Sequence, residues 1–374
     1  MRKLAIRLNI SNIIFYLLIL VYSLTATDEA AASGSMYKYL VLVLGIIEAY
    51  IIYRKNKSVQ YGKKEFSFII FTIALIFIYS IFKMILASKY SFRIVQETLF
   101  LICPVIYAYL FCNIKNYNQI RKVFIVGLLI SFCLYIASLG LGFNQLISAL
   151  KDSNFAESSS ELESGSFSGL ALAFAVFFIY DGDKKYKLIS ILFVIMTFKR
   201  FSIIMVLILY LIPFKRKITN FKISRKIYVS VALGIVLFCI LYYLAMQPQN
   251  VVYIQHKFNI NMALLTMTRS SRFAVLLNSN FVSYGIGSSN EFLYAYINGG
   301  LEMDLVRLIM EVGYIPVVCM IFSYLNIARS NLYFFVFMTL KVVSLIFSSN
   351  LTNILSWLLT FIMLFAIIRK ENEK

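Results

Sequence analysis

The chain has 374 residues, of which 61% are hydrophobic and 14% charged, and it carries a formal net charge of +19. Soluble domains are about 25% charged, so this composition excludes a soluble globular protein and, with so few charges, a disordered one. The basic residues sit in short loops between apolar runs. That is the pattern of membrane topology signals rather than of a nucleic-acid surface, and no nucleic-acid partner is expected.

Twelve apolar segments follow one another, at about 13–25, 39–53, 66–82, 94–111, 123–141, 167–180, 188–198, 201–214, 227–246, 305–325, 332–347 and 354–368. The predicted fold is all-α: a single polytopic integral membrane domain over 1–374 with about 12 transmembrane helices. With both termini in the cytoplasm, most of the 36 lysines and arginines fall on the inner side. Few acids join them there (Glu65, Asp181, Asp183, Glu371 and Glu373), as the positive-inside rule requires. The basic start Met1–Arg7 leads into a span with no small-residue cleavage site close behind, so no cleavable signal is expected.

Segments seven and eight are short. At about 1.5 Å per residue, a helix over 188–198 covers roughly half of a ~30 Å core. One long span over 188–214 would instead bury Lys199 and Arg200 in mid-membrane, at several kcal/mol. A turn at Lys199-Arg200 is therefore expected, with both cations at the outer face. Two outer loops are longer: 142–166, rich in serine and acids, and 247–304, large enough for organised structure.

The five cysteines lie in apolar runs without a Cys-x-x-Cys pair, and there is one histidine. A disulfide framework or zinc ribbon is not expected, and a multi-histidine metal motif is excluded. No acidic cluster has metal-ligand spacing, and no cofactor is implied. The chemistry-bearing residues are instead cations on the outer side, where cations are normally depleted: Lys89, Arg93, Lys199, Arg200, Arg269, Arg272 and Arg307. Arg269 and Arg272 lie in 261–277, whose spacing predicts an interfacial amphipathic helix with both arginines on one face. They could snorkel to lipid headgroups or form a fork of donors for phosphate. Tyr284-Gly-Ile-Gly-Ser-Ser-Asn290 permits a tight turn or close backbone approach and is no dinucleotide fingerprint.

Glu302 and Asp304 stand where the large loop meets span ten. Asp304 could be a plain helix cap or one rung of a ladder with Arg307 and Glu311; either carboxylate could be a general base for a sugar hydroxyl. His256, the only histidine, is a further candidate acid or base. Glu48 and Lys341 fall inside spans two and eleven and could pair with each other.

On these residues the chain resembles the Wzy-type repeat-unit polymerases of O-antigen, capsule and exopolysaccharide synthesis, relatives of the O-antigen ligases. Thr197-Phe-Lys-Arg200 stands where that family has a Ser/Thr-x-Ser-Arg-type signature. Arg272 followed by Gly285-Ile-Gly287 matches an arginine and a Gly-x-Gly in the large loop. Leu301-Glu-Met-Asp-Leu305 with Glu311-Val-Gly313 matches the end of that loop and its Glu-x-Gly helix. Ser166-Phe-Ser-Gly169 opens span six as in the family. The histidine motif that ligases often carry near Glu302 is absent.

The resemblance implies a metal-independent glycosyltransferase in the bacterial plasma membrane. It would join undecaprenyl-diphosphate-linked oligosaccharide repeat units at the outer face, beside a flippase and a chain-length regulator. Arg200, Arg272 and Arg307, aided by Arg269 and Lys199, would hold the leaving diphosphate. Asp304 or Glu302 would take the acceptor proton. A lipid-linked oligosaccharide flippase or transporter and a ligase-like glycan transferase are the alternative readings.

Overall fold

A computed structural model describes residues 10–27, 35–56, 60–140, 164–212, 221–259 and 261–373. Every element among them is a helix. In chain order they are α1 (Ile10–Thr27), α2 (Ser35–Asn56), α3 (Lys63–Leu86), α4 (Arg93–Ile114), α5 (Tyr117–Leu139), α6 (Gly165–Asp181), α7 (Lys184–Met196), α8 (Arg200–Leu211) and α9 (Arg225–Ala245). There follow α10 (Pro248–Phe258), α11 (Met262–Leu265), α12 (Arg269–Asn278), α13 (Ser288–Ile297), α14 (Asp304–Val312), α15 (Tyr314–Ile327), α16 (Leu332–Phe347) and α17 (Ile354–Asn372). The expected outer loop 142–166 lies, up to residue 163, outside the described residues.

Four of the described helices, α3, α4, α5 and α9, are long and apolar enough to cross a membrane. Each of the twelve apolar segments of the sequence is helical in its described part, and two details differ from expectation. The tenth segment is two helices, α14 and α15, broken at Gly313, whose φ of 88° ends α14 in a conformation that a Cβ would disfavour. The stretch 261–277 is not one amphipathic helix. Met267 and Thr268 both take positive φ, so the one-turn α11 stops and Arg269 opens α12.

The turn expected at Lys199-Arg200 is present. α7 ends at Met196, Phe198 takes a φ of 51°, and α8 begins at Arg200 and packs on α7.

The helices pack into two compact units, each assembled from separated pieces of chain. The first comprises 1–63, 103–215 and 353–374. Within it α1 packs on α2 and α5, while α6 packs on α7, α8 and α17. Its core is aromatic: Phe124 meets Phe174 and Phe177, and Phe15 stacks on Phe111. Gly127 of α5 is the close-approach point, because a Cβ there would stand 2.6 Å from Ile19 and 3.2 Å from Phe174. Glu48 belongs to this unit. Its carboxylate oxygens are buried, and its charged neighbour is Lys115. Lys341, the partner the sequence offered, lies in the second unit, buried, with its ammonium 5.8 Å from the Phe337 ring.

The second unit comprises 64–102 and 216–352. α9, α14, α15 and α16 pack on one another, and the segment 247–304 is folded rather than a bare connection. Met246, Met262, Phe273, Leu276, Leu293, Leu301, Met303 and Val306 form its core.

Overpacking a filled contact costs about 1–3 kcal/mol. Gly127→Leu is therefore expected to lower the thermal midpoint of the purified protein by several degrees. Gly234→Leu, at a position on α9 with open space around it, is expected to leave that midpoint unchanged.

Candidate functional site

The site is built in the second unit around α14. Eight of its nine residues are buried, Arg307 among them. A cation taken out of water needs compensation by carboxylates. Arg307 finds it in Glu97 of α4, at 3.7 Å, and in Asp304 one turn earlier, at 3.3 Å. Glu97 is itself buried and receives Arg93 at 3.4 Å.

Two of the three acids around Arg307, Asp304 and Glu311, each hold a different piece of backbone. Asp304 accepts the N–H groups of Asn350 and Leu351, both at 2.6 Å, while its own N–H donates to Ser348 O. It thus fixes the turn that follows α16. Glu311 turns the other way. Its carboxylate accepts from Gly287 N at 2.9 Å, Ser289 N at 3.0 Å and Ser289 Oγ at 2.5 Å. A carboxylate is thereby placed on the first N–H groups of α13, where charge and dipole both favour it.

The loop that Glu311 grips can approach only because it carries glycines. Gly285 and Gly287 have φ of 120° and 87°. A Cβ on Gly285 would meet Ile94 at 2.8 Å and Ser80 at 3.0 Å; one on Gly287 would meet Arg93 at 2.9 Å and Glu97 at 3.0 Å. Ser80 Oγ accepts the N–H of Ile286 between them. The Gly-x-Gly and the Glu-x-Gly seen separately in the sequence are therefore one structural device.

Beside this buried network lies a more open one. Arg269 and Arg272, three residues apart on α12, both reach Glu302, at 3.0 and 3.3 Å. Two guanidinium groups thus share one carboxylate. The side chain of Glu302 is 43% exposed and those of the arginines 17% and 27%, so the cluster meets solvent. Arg272 also donates to Gly300 O at 2.8 Å, and Gly299 passes against its guanidinium. Asn290 Oδ1 accepts Leu301 N and keeps this turn in place.

Lys89 packs on buried Tyr284, the residue before the glycine loop. The Lys89 ammonium lies 4.1 Å from the Tyr284 ring centroid, and Ser91 Oγ donates to Glu291. Burial, and after it the Glu291 and Glu311 carboxylates, push the Tyr284 phenol above its ordinary range. It is protonated throughout the physiological range.

The structure thus brings together Arg269, Arg272, Glu302, Asp304 and Arg307. It separates their roles by burial. Arg307 and Asp304 are 1% and 2% exposed and committed to internal partners, whereas Arg269, Arg272 and Glu302 are partly exposed. Arg307 therefore presents no open face to a diphosphate, and Asp304 has no open face to a hydroxyl. His256 sits exposed in the last turn of α10.

Lys199 and Arg200 belong to the first unit. Ser164 N donates to Thr197 O, and Lys199 lies 3.8 Å from where a Cβ on Gly165 would be. The Thr197–Arg200 and Ser166–Gly169 motifs are thus neighbours there. Sequence reasoning missed Glu97. An acid inside the apolar run 94–111 is its signal, the same signal that singled out Glu48.

Compared with known proteins, the chain matches no family model and no curated protein.

Glu311→Ala would leave the α13 N–H groups unpaired and remove a carboxylate close to the buried Arg307. Breaking such a buried group typically costs about 3–5 kcal/mol, so a large fall in thermal midpoint is expected in detergent. Glu302→Ala, at the half-exposed rim, is expected to change stability by no more than ~1 kcal/mol. Equal effects of the two would remove the distinction between buried frame and open rim.

Proposed function

We propose that this chain is a polysaccharide polymerase of the bacterial plasma membrane. It has about twelve spans, cytoplasmic termini and the segment 247–304 on the outer face. It transfers a growing glycan from undecaprenyl diphosphate to the terminal hydroxyl of the next lipid-linked repeat unit. The observation that carries this reading is the solvent-facing pair Arg269 and Arg272 converging on the single carboxylate Glu302. Two forked guanidinium groups suit a diphosphate, and a carboxylate among them suits proton transfer. The resemblance of Arg272, Gly285–Gly287 and Glu311–Gly313 to the polymerase family adds its weight.

In the proposed reaction the acceptor oxygen attacks the anomeric carbon and the bond from that carbon to the diphosphate oxygen breaks. The diphosphate leaves with the electron pair, and Arg269 and Arg272 stabilise its charge. Glu302 receives the acceptor proton. Arg307, Asp304, Glu97 and Glu311 act as positioning residues, holding α14 and the glycine loop.

The first test is a gel of surface glycan and lipid-linked oligosaccharide from cells lacking the protein. Loss of long polymer, with single repeat units still attached at the outer face, is the expected result. Single units trapped on the cytoplasmic side would mean a flippase, and an unchanged profile would overturn the reading.

With the purified enzyme and lipid-linked repeat units, Arg272→Ala is expected to lower turnover by about 10²-fold or more. Glu302→Gln should lower it by about 10²–10⁴-fold. Both variants should keep the thermal midpoint of the unmodified chain; full activity in both would exclude the assigned roles.

A further inference from the structure

A second feature of the second unit lies away from this site. An apolar groove of about 320 Å³ runs between α9 and α16, lined by Ile223, Ile227, Val231, Phe335, Val336 and Leu340 among others. In a membrane-embedded chain such a groove meets hydrocarbon. One end of it is strongly basic: Lys222, Arg225 and Lys226 are exposed, and Arg329 is half-buried beside them. Ile223 and Arg329 are tied to each other. Ile223 N donates to Arg329 O at 3.0 Å, and Arg329 Nε donates to Ile223 O at 2.9 Å. The guanidinium of Arg329 also lies 5.8 Å from the Tyr228 ring centroid. Arg329 is thereby held beside the lining residue Ile223, Lys222, Arg225 and Lys226 are neighbours in sequence of the lining residues Ile223 and Ile227, and no carboxylate among the described residues forms an ion pair with any of the four.

We propose that this groove holds one anionic phospholipid, its acyl chain along α9 and α16 and its phosphate on the Lys222–Lys226 and Arg329 cluster. The occupant follows from charge complementarity. Four cations with no acid partner among the described residues, beside a largely apolar trough, fit a ligand with an anionic head and a hydrocarbon tail. A zwitterionic lipid would fill the trough and leave the cations uncompensated. Basic clusters at helix ends recognise anionic headgroups in this way. The α9 N-terminus, capped by Ser224, adds its dipole to the same end. This inference stands apart from the glycan reading and survives its failure.

The full chain, purified in detergent, is offered equal amounts of phosphatidylglycerol and phosphatidylcholine with matched acyl chains. Retained lipid is read by native mass spectrometry. Phosphatidylglycerol is expected in excess, by about fivefold for each cation engaged. An Arg225→Gln and Lys226→Gln double variant should still retain lipid but lose most of that preference. Val336→Trp should fill the groove and retain neither lipid; Ile227→Trp, at an exposed lining position, makes the same test should the first variant fail to fold. Three results would overturn the proposal: equal retention of the two lipids by the unmodified chain, a preference undiminished in the double variant, or retention undiminished in the tryptophan variants. So would stoichiometric displacement of phosphatidylglycerol by added undecaprenyl phosphate, which would give the groove to the carrier lipid.

Discussion

The buried guanidinium of Arg307 is the constraint on which the second unit depends. A cation at 1% exposure cannot be left to itself, since its desolvation costs several kcal/mol. It therefore recruits carboxylates, and carboxylates in the interior must in turn be hydrogen-bonded. Glu97 brings in the start of α4, Asp304 the turn at 348–351, and Glu311 the loop at 285–289. One unfavourable burial thus dictates where three distant segments go. The network specifies the fold more than it stabilises it, because a well-packed apolar substitute would often be no less stable.

Backbone geometry makes that network possible. Gly285 and Gly287 let the loop approach α3 and α4 to distances at which a side chain would clash. Gly313 ends α14 after nine residues and lets the chain restart as α15. The Glu-x-Gly pair then has two separable tasks. Its acid caps α13, and its glycine stops the helix that carries the acid.

Much of this was legible in the sequence, and the exceptions have physical reasons. Apolar runs of this length became helices because a helix satisfies its backbone groups within the one segment, as an apolar environment requires. The turn at Lys199-Arg200 followed from the cost of burying two cations. The break at Met267 and Thr268 was not legible, because neither residue favours positive φ. Glu97 was overlooked because its partner, Arg307, is remote in sequence and surrounded by nearer acids. Glu302 and Asp304, two residues apart, read as equals. Burial alone tells them apart, and burial depends on where α14 packs.

That last distinction bears on chemistry. For Asp304 to act as a base it would have to release two backbone N–H groups and Arg307, each left unpaired in the interior. Among the described residues Glu302 is held by Arg269 and Arg272 alone, at a partly exposed site where such pairs are weak. In the proposed reaction the diphosphate competes for the same two guanidinium groups. On that proposal its two or more negative charges would outbid a single carboxylate, and donor binding would loosen Glu302 from its partners. The acid proposed to accept the proton would then be freed by the arrival of the group proposed to leave, and one pair of arginines would couple the two halves of the transfer.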